Sequence, residues 1–390
     1  MANLFTGGIN CPQYRTSEKK RYFPWGDTPQ VEVEVISEEP WNGSRRLCHR
    51  QYDSEGIPKL KKRVEFGYSD PPGEDHILSA RHFMLTLNGI TPVMATCFRE
   101  DHTIDDDVLR RQIDFAIAAG AAAVCGPGFG AEFYKMSDME RCHFVDVLVE
   151  HTRKRVPAIA ATSSGSTYST IEFSRYAEKA GADCVMVTAP RTTPLPAVAI
   201  IQHYSQLCDA LKIPVMLQDA DFTGAGLPAR VFVELARKHP NFRFAKLEVL
   251  LPGEKCAEIV EQTKGQVQII YGLGGIAMLD GLAHGASAMM PGAACLEIYV
   301  RVYELYQQGR KEEARALFDR LIPYLSFALQ HLELAIHIEK RVLHKRGILP
   351  SARMRPPTLT LDRTYEAQMD SLVDSVIALS RECRAEPVTN

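Results

Sequence analysis

The sequence lacks several patterns that would each place it in a familiar functional class. Its ten cysteines include no C-x-x-C pair and its twelve histidines no H-E-x-x-H motif, so neither a zinc site nor another metal site is predicted. Nowhere do about eighteen apolar residues run together, which argues against a transmembrane helix. No G-x-G-x-x-G follows the first predicted strand, which argues against a dinucleotide-binding fold.

An excess of positive charge is also absent. The formal net charge is -3, and no basic stretch is interleaved with aromatic residues, so a nucleic-acid partner is not predicted. The basic runs at residues 19–21 and 59–63 are interpreted as solvated surface. The first residues show no positive segment followed by an apolar stretch, so a cytoplasmic protein is predicted. Cys97, Cys125 and Cys184 lie in apolar runs and are predicted to be reduced core residues.

What the sequence contains is a regular alternation of apolar runs and amphipathic helical stretches between about residues 89 and 309. Eight strands are predicted, at residues 90–97, 121–126, 157–162, 183–189, 214–219, 242–248, 267–271 and 287–291. Helical segments lie between them, at residues 105–119, 138–154, 170–180, 197–211, 228–238 and 253–263. Eight such units predict an α/β fold, a closed parallel (β/α)8 TIM barrel, with functional residues at the carboxyl ends of the strands.

The flanks of this barrel differ in character. Three regions are predicted: an N-terminal extension over residues 1–85, the barrel over 86–309 and a C-terminal helical region over 310–390. The extension is polar and carries one alternation at 31–35 and a turn signal at 41–43, which indicate a possible hairpin. The C-terminal helices, the last of them over 363–380, are expected to pack against the barrel or a second subunit.

Lys246 is the most informative residue, because it interrupts the apolar run that forms the sixth strand. A strand has a period of two, so Phe242, Phe244, Lys246 and Glu248 are expected on one face. Desolvation lowers the pKa of a buried lysine and makes its neutral, nucleophilic form available, which favours Schiff-base chemistry on a carbonyl substrate. The alternative is a lysine at the strand's end that reaches solvent or pairs with Glu248.

Five segments, taken in order, resemble the dihydrodipicolinate synthase and N-acetylneuraminate lyase family of class I aldolases and dehydratases. They are residues 89–93, 105–109, 157–164, 181–190 and 244–248. The resemblance spans roughly residues 88–380. It implies that Lys246 forms the Schiff base, that the substrate is a small 2-keto acid, that no cofactor is needed, and that the chain forms a homodimer or homotetramer.

Within the family, the sequence is most similar to the branch of 2-keto-3-deoxy sugar acid dehydratases. The fifth strand ends in Gln218 and Asp219, where synthases carry Tyr-Asn, and the sixth strand carries Lys246 and Glu248 as a Lys-x-Glu pair. Residues 271–275 resemble the seventh-strand loop of the wider branch. These motifs imply a dehydratase or an aldolase.

Two departures from the family bear on the mechanism. Gln218 replaces a tyrosine that relays protons, and glutamine cannot act as a general acid or base at neutral pH. Glu132 matches a glutamate of the dehydratase branch and is the first candidate for the base, with Tyr134, Asp219 and Glu248 behind it. The alternative is that Glu132 caps or pairs at the start of the second helix.

The second departure concerns the substrate's carboxylate. Phe129 and Gly130 stand where the family usually has two adjacent hydroxyl residues; backbone N–H groups of this turn could still hold an anion. The predicted catalytic residues are Lys246, Glu132, Gln218 and Glu248. The predicted substrate-binding residues are Phe129, Gly130, Ala131, Tyr134, Thr162, Ser163, Asp219, Gly272 and Leu273. No metal ligand is predicted.

Two functions of different classes follow from these residues. The first is a Schiff-base lyase in which Lys246 condenses with the 2-keto group and either dehydration or retro-aldol cleavage follows. The second is a family member with altered catalysis that acts as a ligand-binding or assembly protein, suggested by the missing tyrosine and hydroxyl pair.

Overall fold

The computed structural model describes residues 51–52, 58–59, 85–189 and 195–385. The chain divides into two compact units, Met1–Pro72 and Gly73–Asn390. In the first unit, the short strands Gln51–Tyr52 and Pro58–Lys59 pair antiparallel. This pair was not predicted, and the predicted hairpin at 31–35 and 41–43 lies outside the described residues.

The second unit contains eight parallel strands in one sheet, as the alternation of the sequence predicted. They are Gly89–Ile90 (β1), Val124–Gly126 (β2), Ala158–Ala161 (β3), Cys184–Thr188 (β4), Val215–Ala220 (β5), Phe242–Glu248 (β6), Gln268–Tyr271 (β7) and Ala288–Met289 (β8). Each strand from β2 to β7 pairs with the next in the chain, and β8 pairs with β1. Val93, just after β1, forms parallel bridges to both Cys125 and Gly292 and so joins the two edges. The prediction of a (β/α)8 barrel is confirmed.

The first strand is shorter than predicted. The run 90–97 is mostly apolar and was predicted as strand, but only Gly89–Ile90 forms regular strand, followed by the isolated bridges at Val93. Pro92 has no N–H to donate to a ladder, which limits a regular strand at this point.

Helices follow the strands around the barrel. They are Asp106–Ala118 (α1), Asp138–Thr152 (α2), Thr167–Ala180 (α3), Ala197–Ala210 (α4), Ala229–Lys238 (α5), Pro252–Gln262 (α6), Met278–Ala283 (α7) and Leu296–Gln307 (α8). The first two begin at side-chain caps: Asp105 accepts a hydrogen bond from the amide of Val108, and Ser137 forms a capping box with Glu140. Such caps satisfy amides that the helix leaves without partners.

The C-terminal region adds four helices to the same compact unit. They are Lys311–Asp319 (α9), Ile322–Ala328 (α10), Leu332–Lys345 (α11) and Arg363–Ala385 (α12). Their buried residues, among them Leu325, Leu334, Met369 and Val373, belong to the hydrophobic cluster that lies between the sheet and its helices. The expectation that these helices pack against the barrel is therefore met within the chain itself.

A second hydrophobic cluster contains Cys184, Met186 and Phe244, side chains that point into the barrel. The sequence predicted that Phe242 and Phe244 share a face, and this was wrong. The pairing of β5 with β6 shifts its register between Val215 and Met216, which pair with Phe242 and Phe244 and leave Arg243 as an extra residue. This irregularity interrupts the period of two, so Phe242 packs in the outer layer.

Candidate active site

A cavity of about 310 Å³ lies at the carboxyl ends of the barrel strands. One side is formed by β6 and by the segments that follow β2, β5, β7 and β8, and the other side by α10, α11 and the start of α8. The ionisable side chains on its walls include Lys246, Glu248, Cys295, Tyr299, Tyr324 and Glu339. Of the described residues that line it, Lys246 is the only lysine or arginine.

Lys246 lies near the end of β6 with only 3% of its surface exposed. Its Nζ atom is 3.3 Å from Oε1 of Glu248, and both side chains line the cavity because they are two residues apart on one strand. The sequence had offered two alternatives for this lysine, a buried reactive amine or a partner of Glu248. The structure places it in the barrel mouth and in that pair.

The carboxylate of Glu248 is held on three sides. Besides the Lys246 amine, it accepts hydrogen bonds from Nε2 of Gln218 at 2.5 Å and from the amide of Leu273 at 2.9 Å. Thr188 donates its hydroxyl to Oε1 of Gln218 at 2.6 Å, which orients the glutamine so that its NH₂ group faces Glu248. A Cβ atom at Gly272 would overlap this carboxylate, so the glycine permits the close approach.

Phe129 and Gly130, which replace the hydroxyl pair, line the cavity at a short 3₁₀ turn. The ring of Phe129 makes edge contacts with Phe133 at 5.1 Å and with Phe222 at 5.8 Å between ring centroids. This side of the cavity is therefore an apolar wall. Leu273, another of the predicted substrate-binding residues, also lines the cavity.

Glu132 lies behind that wall and is not among the residues that line the cavity. It is fully buried in the left-handed conformation, with φ of 61°. Its carboxylate pairs with Lys135 at 2.9 Å and with Lys340, and it accepts a hydrogen bond from the amide of Arg355 at 3.3 Å. This geometry matches the alternative in which Glu132 pairs near the start of the second helix.

Several other predicted substrate-binding residues also make contacts away from the cavity. The Tyr134 hydroxyl donates to Glu333, and the Asp219 carboxylate accepts from the amide of Leu227 and pairs with Lys255 at 3.0 Å. The Thr162 hydroxyl bonds to Ser174 at 2.7 Å. The remaining two are Ser163, which accepts from the amide of Thr188 at 2.8 Å, and Ala131, whose carbonyl accepts from Thr96 at 2.6 Å.

The sequence reasoning missed the side of the cavity that the C-terminal region provides. Leu332, Ala335, Ile336 and Glu339 line it from one face of α11. Their spacing is that of an apolar stripe along one face of a helix. Glu339 is a carboxylate at the end of this stripe, and a charge on an apolar face is the sequence signal that could have indicated a site here. On the neighbouring wall, Tyr299 donates its hydroxyl to the carbonyl of Gly274 at 2.5 Å.

The model of the dihydrodipicolinate synthetase family matches residues 86–376, which is most of the chain. The chain belongs to the dihydrodipicolinate synthetase family. Members of this family are lyases or synthases that act through Schiff bases, and the predicted enzyme of this general kind is supported.

Individual relatives agree with the family. An L-2-keto-3-deoxyarabonate dehydratase from Azospirillum brasilense is 28% identical over 72% of this chain and 92% of its own length. A 4-hydroxy-tetrahydrodipicolinate synthase from Methanopyrus kandleri is 27% identical over 61% of this chain and 80% of its own length. The crystal structure of a putative dihydrodipicolinate synthetase from Pseudomonas aeruginosa is similar, with a TM-score of 0.69 and 26% identity over 75% of this chain and all of that one.

Three further features of the described residues concern metal sites, membrane-spanning helices and free cysteines. Among the described residues, His, Cys, Asp and Glu side chains form no cluster of three or more that could hold a metal ion. None of the described helices combines the length and the apolar character needed to cross a membrane. Six cysteines in the described part of the chain are free thiols and buried: Cys97, Cys125, Cys184, Cys208, Cys256 and Cys295.

Proposed function

We propose that this protein is a Schiff-base lyase that acts on a 2-keto acid, with 2-keto-3-deoxy sugar acids as the first candidate substrates. The observation that carries the proposal is the place of Lys246, whose side chain lies on the wall of the cavity 3.3 Å from Glu248. An amine that is shielded from water and positioned by a carboxylate is suited to attack a ketone.

The first step forms the Schiff base. The neutral amine of Lys246 attacks C2 and a C–N bond forms. The carbonyl oxygen takes one proton from the nitrogen and one from the medium and leaves as water, which gives the iminium ion. Glu248 stabilises the positive charge on nitrogen, because its carboxylate is fixed by Gln218 and by the amide of Leu273. The iminium draws electrons from C3, so a base can remove a C3 proton and leave an enamine.

The step after the enamine distinguishes a dehydratase from an aldolase. In a dehydratase the enamine electrons expel a hydroxyl group from C4, whereas in a retro-aldol reaction the C3–C4 bond breaks. The similarity to the dehydratase from Azospirillum brasilense supports dehydration. A cavity of about 310 Å³ supports a small acid as the substrate, since it is at the lower end of the usual range for ligand pockets.

Borohydride trapping tests the proposal directly. The purified protein is incubated with sodium borohydride together with one substrate candidate at a time. The candidates are pyruvate, pyruvate plus aldehydes, and several 2-keto-3-deoxy sugar acids, and peptide masses are measured after each incubation. We expect a reduced adduct on the peptide that contains Lys246. Lys255, a mostly buried lysine that pairs with Asp219 outside the cavity, is the internal control and should stay unmodified.

Lys246→Arg provides the matched variant. Arginine keeps a positive charge beside Glu248 but forms no imine, so we expect no adduct and a loss of turnover of at least about 10³-fold. Wild-type protein that gives no adduct with any of these acids, or an adduct at another lysine, would contradict the proposal. Binding of a 2-keto acid without an adduct would favour a ligand-binding role.

We also propose that the protein forms a homodimer or homotetramer, as the family resemblance implied. Two exposed apolar side chains on neighbouring helices, Tyr168 on α3 and Val198 on α4, support a contact surface. Light scattering after size-exclusion chromatography measures the mass; a monomer at all concentrations would contradict this part of the proposal.

A further inference from the structure

Glu339 is an ionisable side chain in the cavity to which the steps above give no role. It ends the face of α11 that lines the cavity, on the side formed by the C-terminal region, whereas Lys246 belongs to the strand side. A substrate bound to Lys246 would therefore occupy the space between the amine and this carboxylate.

The carboxylate of Glu339 is held by backbone. Its Oε1 atom accepts a hydrogen bond from the amide of Ala294 at 2.7 Å, and a Cβ atom at Gly292 would lie 2.5 Å from both carboxylate oxygens. The missing side chain at Gly292 thus gives the carboxylate its place at the end of β8. Backbone amides that donate to the carboxylate hold it in place and favour its charged form, but they carry no full positive charge.

No cation neutralises Glu339 within residues 85–189 and 195–385. Arg346, which follows α11, pairs with Glu297 at 2.5 Å, and Lys340 pairs with Glu132. Burial raises the pKa of Glu339 from the ordinary 4.5 to about 7, although hydrogen bonds from the amides of Ala294 and Ala293 and the charge of Arg346 act in the opposite direction. Both protonation states are therefore accessible near neutral pH, as proton transfer requires.

Several other polar side chains near the cavity are less suited to exchange a proton. Glu248 is already engaged by Lys246, Gln218 and the amide of Leu273. Burial raises the pKa of the Tyr299 and Tyr324 hydroxyls and of the Cys295 thiol well above their ordinary values, so these groups stay protonated. Gln218 cannot donate or accept a proton at neutral pH. Glu132 is outside the cavity wall and engaged by two lysines.

We propose that Glu339 is the catalytic acid and base that transfers the proton between C3 and the leaving hydroxyl group. The inference rests on the Schiff-base function proposed above and names the proton carrier for it. As a carboxylate, Glu339 takes the C3 proton of the iminium, and the C–H electrons form the C2=C3 bond of the enamine. As an acid, it returns this proton to the C4 hydroxyl while the enamine electrons form the C3=C4 bond, so water leaves and the carboxylate is restored.

Deuterium exchange isolates the first half of this cycle. Pyruvate forms an imine but has no C4 hydroxyl to lose, so the incorporation of deuterium at its C3 in D₂O, followed by NMR, reports only the proton transfer. The exchange is compared in the wild type, Glu339→Gln and Glu132→Gln, and each protein is also trapped with borohydride and pyruvate. Circular dichroism confirms that each variant is folded.

We expect Glu339→Gln to trap pyruvate on Lys246 as the wild type does but to exchange C3 protons at least about 100-fold more slowly. Equal exchange in the two proteins, or trapping without exchange in the wild type, would overturn the role of Glu339 and leave the Schiff-base function standing. Loss of exchange in Glu132→Gln alone would assign the base to Glu132 and overturn the inference. No trapping in the wild type would overturn the proposed function itself.

The wild type offers a second measurement that does not depend on a variant. The exchange rate should rise with pH and level off with a midpoint near 7, as the carboxylate form is populated. The titratable or charged groups near Glu339 are Cys295, Tyr299, Tyr324 and Arg346, with His331 at the other end of the same helix face; burial keeps Cys295, Tyr299 and Tyr324 protonated in this window. Lys246, Glu248 and His331 also line the cavity, so the midpoint must persist in His331→Gln and, in the exchange that remains, in Glu248→Gln; a midpoint that moves away from 7 in either variant would overturn the assignment.

Discussion

Helix α11 carries two ionisable residues side by side, and their surroundings differ completely. Lys340 is fully buried between Glu132 and the carbonyl of Arg353, and its ammonium group lies 4.8 Å from the ring centre of Phe98. Glu339, one residue earlier, faces the cavity and is held only by backbone amides. Because successive residues of a helix point in directions about 100° apart, one helix serves a structural cluster and a candidate active site.

The comparison shows why residue type alone does not identify a catalytic acid. Glu132 and Glu339 are both glutamates near the barrel mouth, Glu132 fully buried and Glu339 partly buried on the cavity wall, but Glu132 has cationic partners and Glu339 has none among the described residues. A paired carboxylate contributes to stability through its charge, whereas an unpaired one in a dry site resists ionisation. The two sites should therefore respond in opposite ways to substitution and to pH.

The largest expected difference is in stability. Glu132→Gln removes the charge that balances Lys340 and Lys135, which are both buried, and should lower the free energy of unfolding by about 3–5 kcal/mol at pH 7. Glu339→Gln removes no ion pair within the described residues and should not destabilise the protein at this pH. Urea unfolding of the wild type and the two variants measures both changes in the free energy of unfolding. A loss of less than about 1 kcal/mol for Glu132→Gln would contradict the distinction between the paired and the unpaired glutamate.

The pH dependence of stability is the next largest effect. The pKa of Glu339 is raised to about 7 in the folded state from the ordinary 4.5, so the folded protein binds more protons than the unfolded chain between these values. Its contribution to stability is therefore present below about pH 4.5 and is lost as the pH rises through 7, by up to about 3 kcal/mol.

Glu339→Gln should remove that dependence. The free energy of unfolding of the variant minus that of the wild type is expected to increase by about 2–3 kcal/mol between pH 5 and pH 8. Urea titrations at both pH values provide the measurement, with Glu313→Gln, at an exposed helix position, as the control. A difference that stays constant with pH would show that Glu339 ionises normally.

Glycine substitutions test how tightly each part of the cavity is built. Gly292→Ala would force a Cβ atom within 2.5 Å of the Glu339 carboxylate and should cost about 1–3 kcal/mol. Gly130→Ala is the matched control on the same cavity, because its Cβ atom would lie 3.6 Å from Val93, an ordinary contact. Thermal unfolding compares the two variants. Equal losses would mean that Gly292 does not position Glu339.

The smallest effect concerns the ion pairs beside α2. Hydrogen bonds from Arg355 lower the pKa of Glu140 to about 2. The backbone amide of the same arginine donates to Glu132, so Glu140 lies at the edge of the Glu132 cluster. The contribution of Glu140 to stability is thus present above the ordinary pKa of 4.5 and is lost as the pH falls toward 2, opposite to Glu339.

Because Glu140 is partly exposed, solvent screening reduces this contribution to about 1 kcal/mol. Glu140→Gln should therefore be less stable than the wild type by about this amount at pH 6 and equally stable at pH 2.5. Urea unfolding at the two pH values measures the difference. A variant that is equally destabilised at both would show that the loss does not come from the charge of Glu140.

Much of the architecture could be predicted because its signals are local. The predicted strand over 242–248 coincides with β6, and the predicted helix over 197–211 ends one residue beyond α4. The period of two placed Lys246 and Glu248 on one face, and the motif around Lys246 indicated the family. Where local signals conflicted with long-range pairing, the prediction failed, as it did for Phe242 beside the register shift and for the strand beyond Ile90.

The contacts between residues of the candidate site could not be predicted from local patterns. Lys340 is 208 residues from Glu132 in the sequence, and no pattern near either residue indicates that they meet. Thr188 and Gln218 are likewise on different strands, and their contact orients the glutamine toward Glu248. Glu339 could have been noticed as a charge on an apolar helix face. The cavity that it lines could not have been predicted, because its walls come from distant parts of the chain.

The sequence by itself therefore determined the barrel, the family and the lysine, because strand and helix periods and short motifs depend only on neighbouring residues. The tertiary structure decided which glutamate is paired and which is not. That choice depends on where α11 lies over the strand ends, and with it on burial and charge contacts between distant parts of the chain.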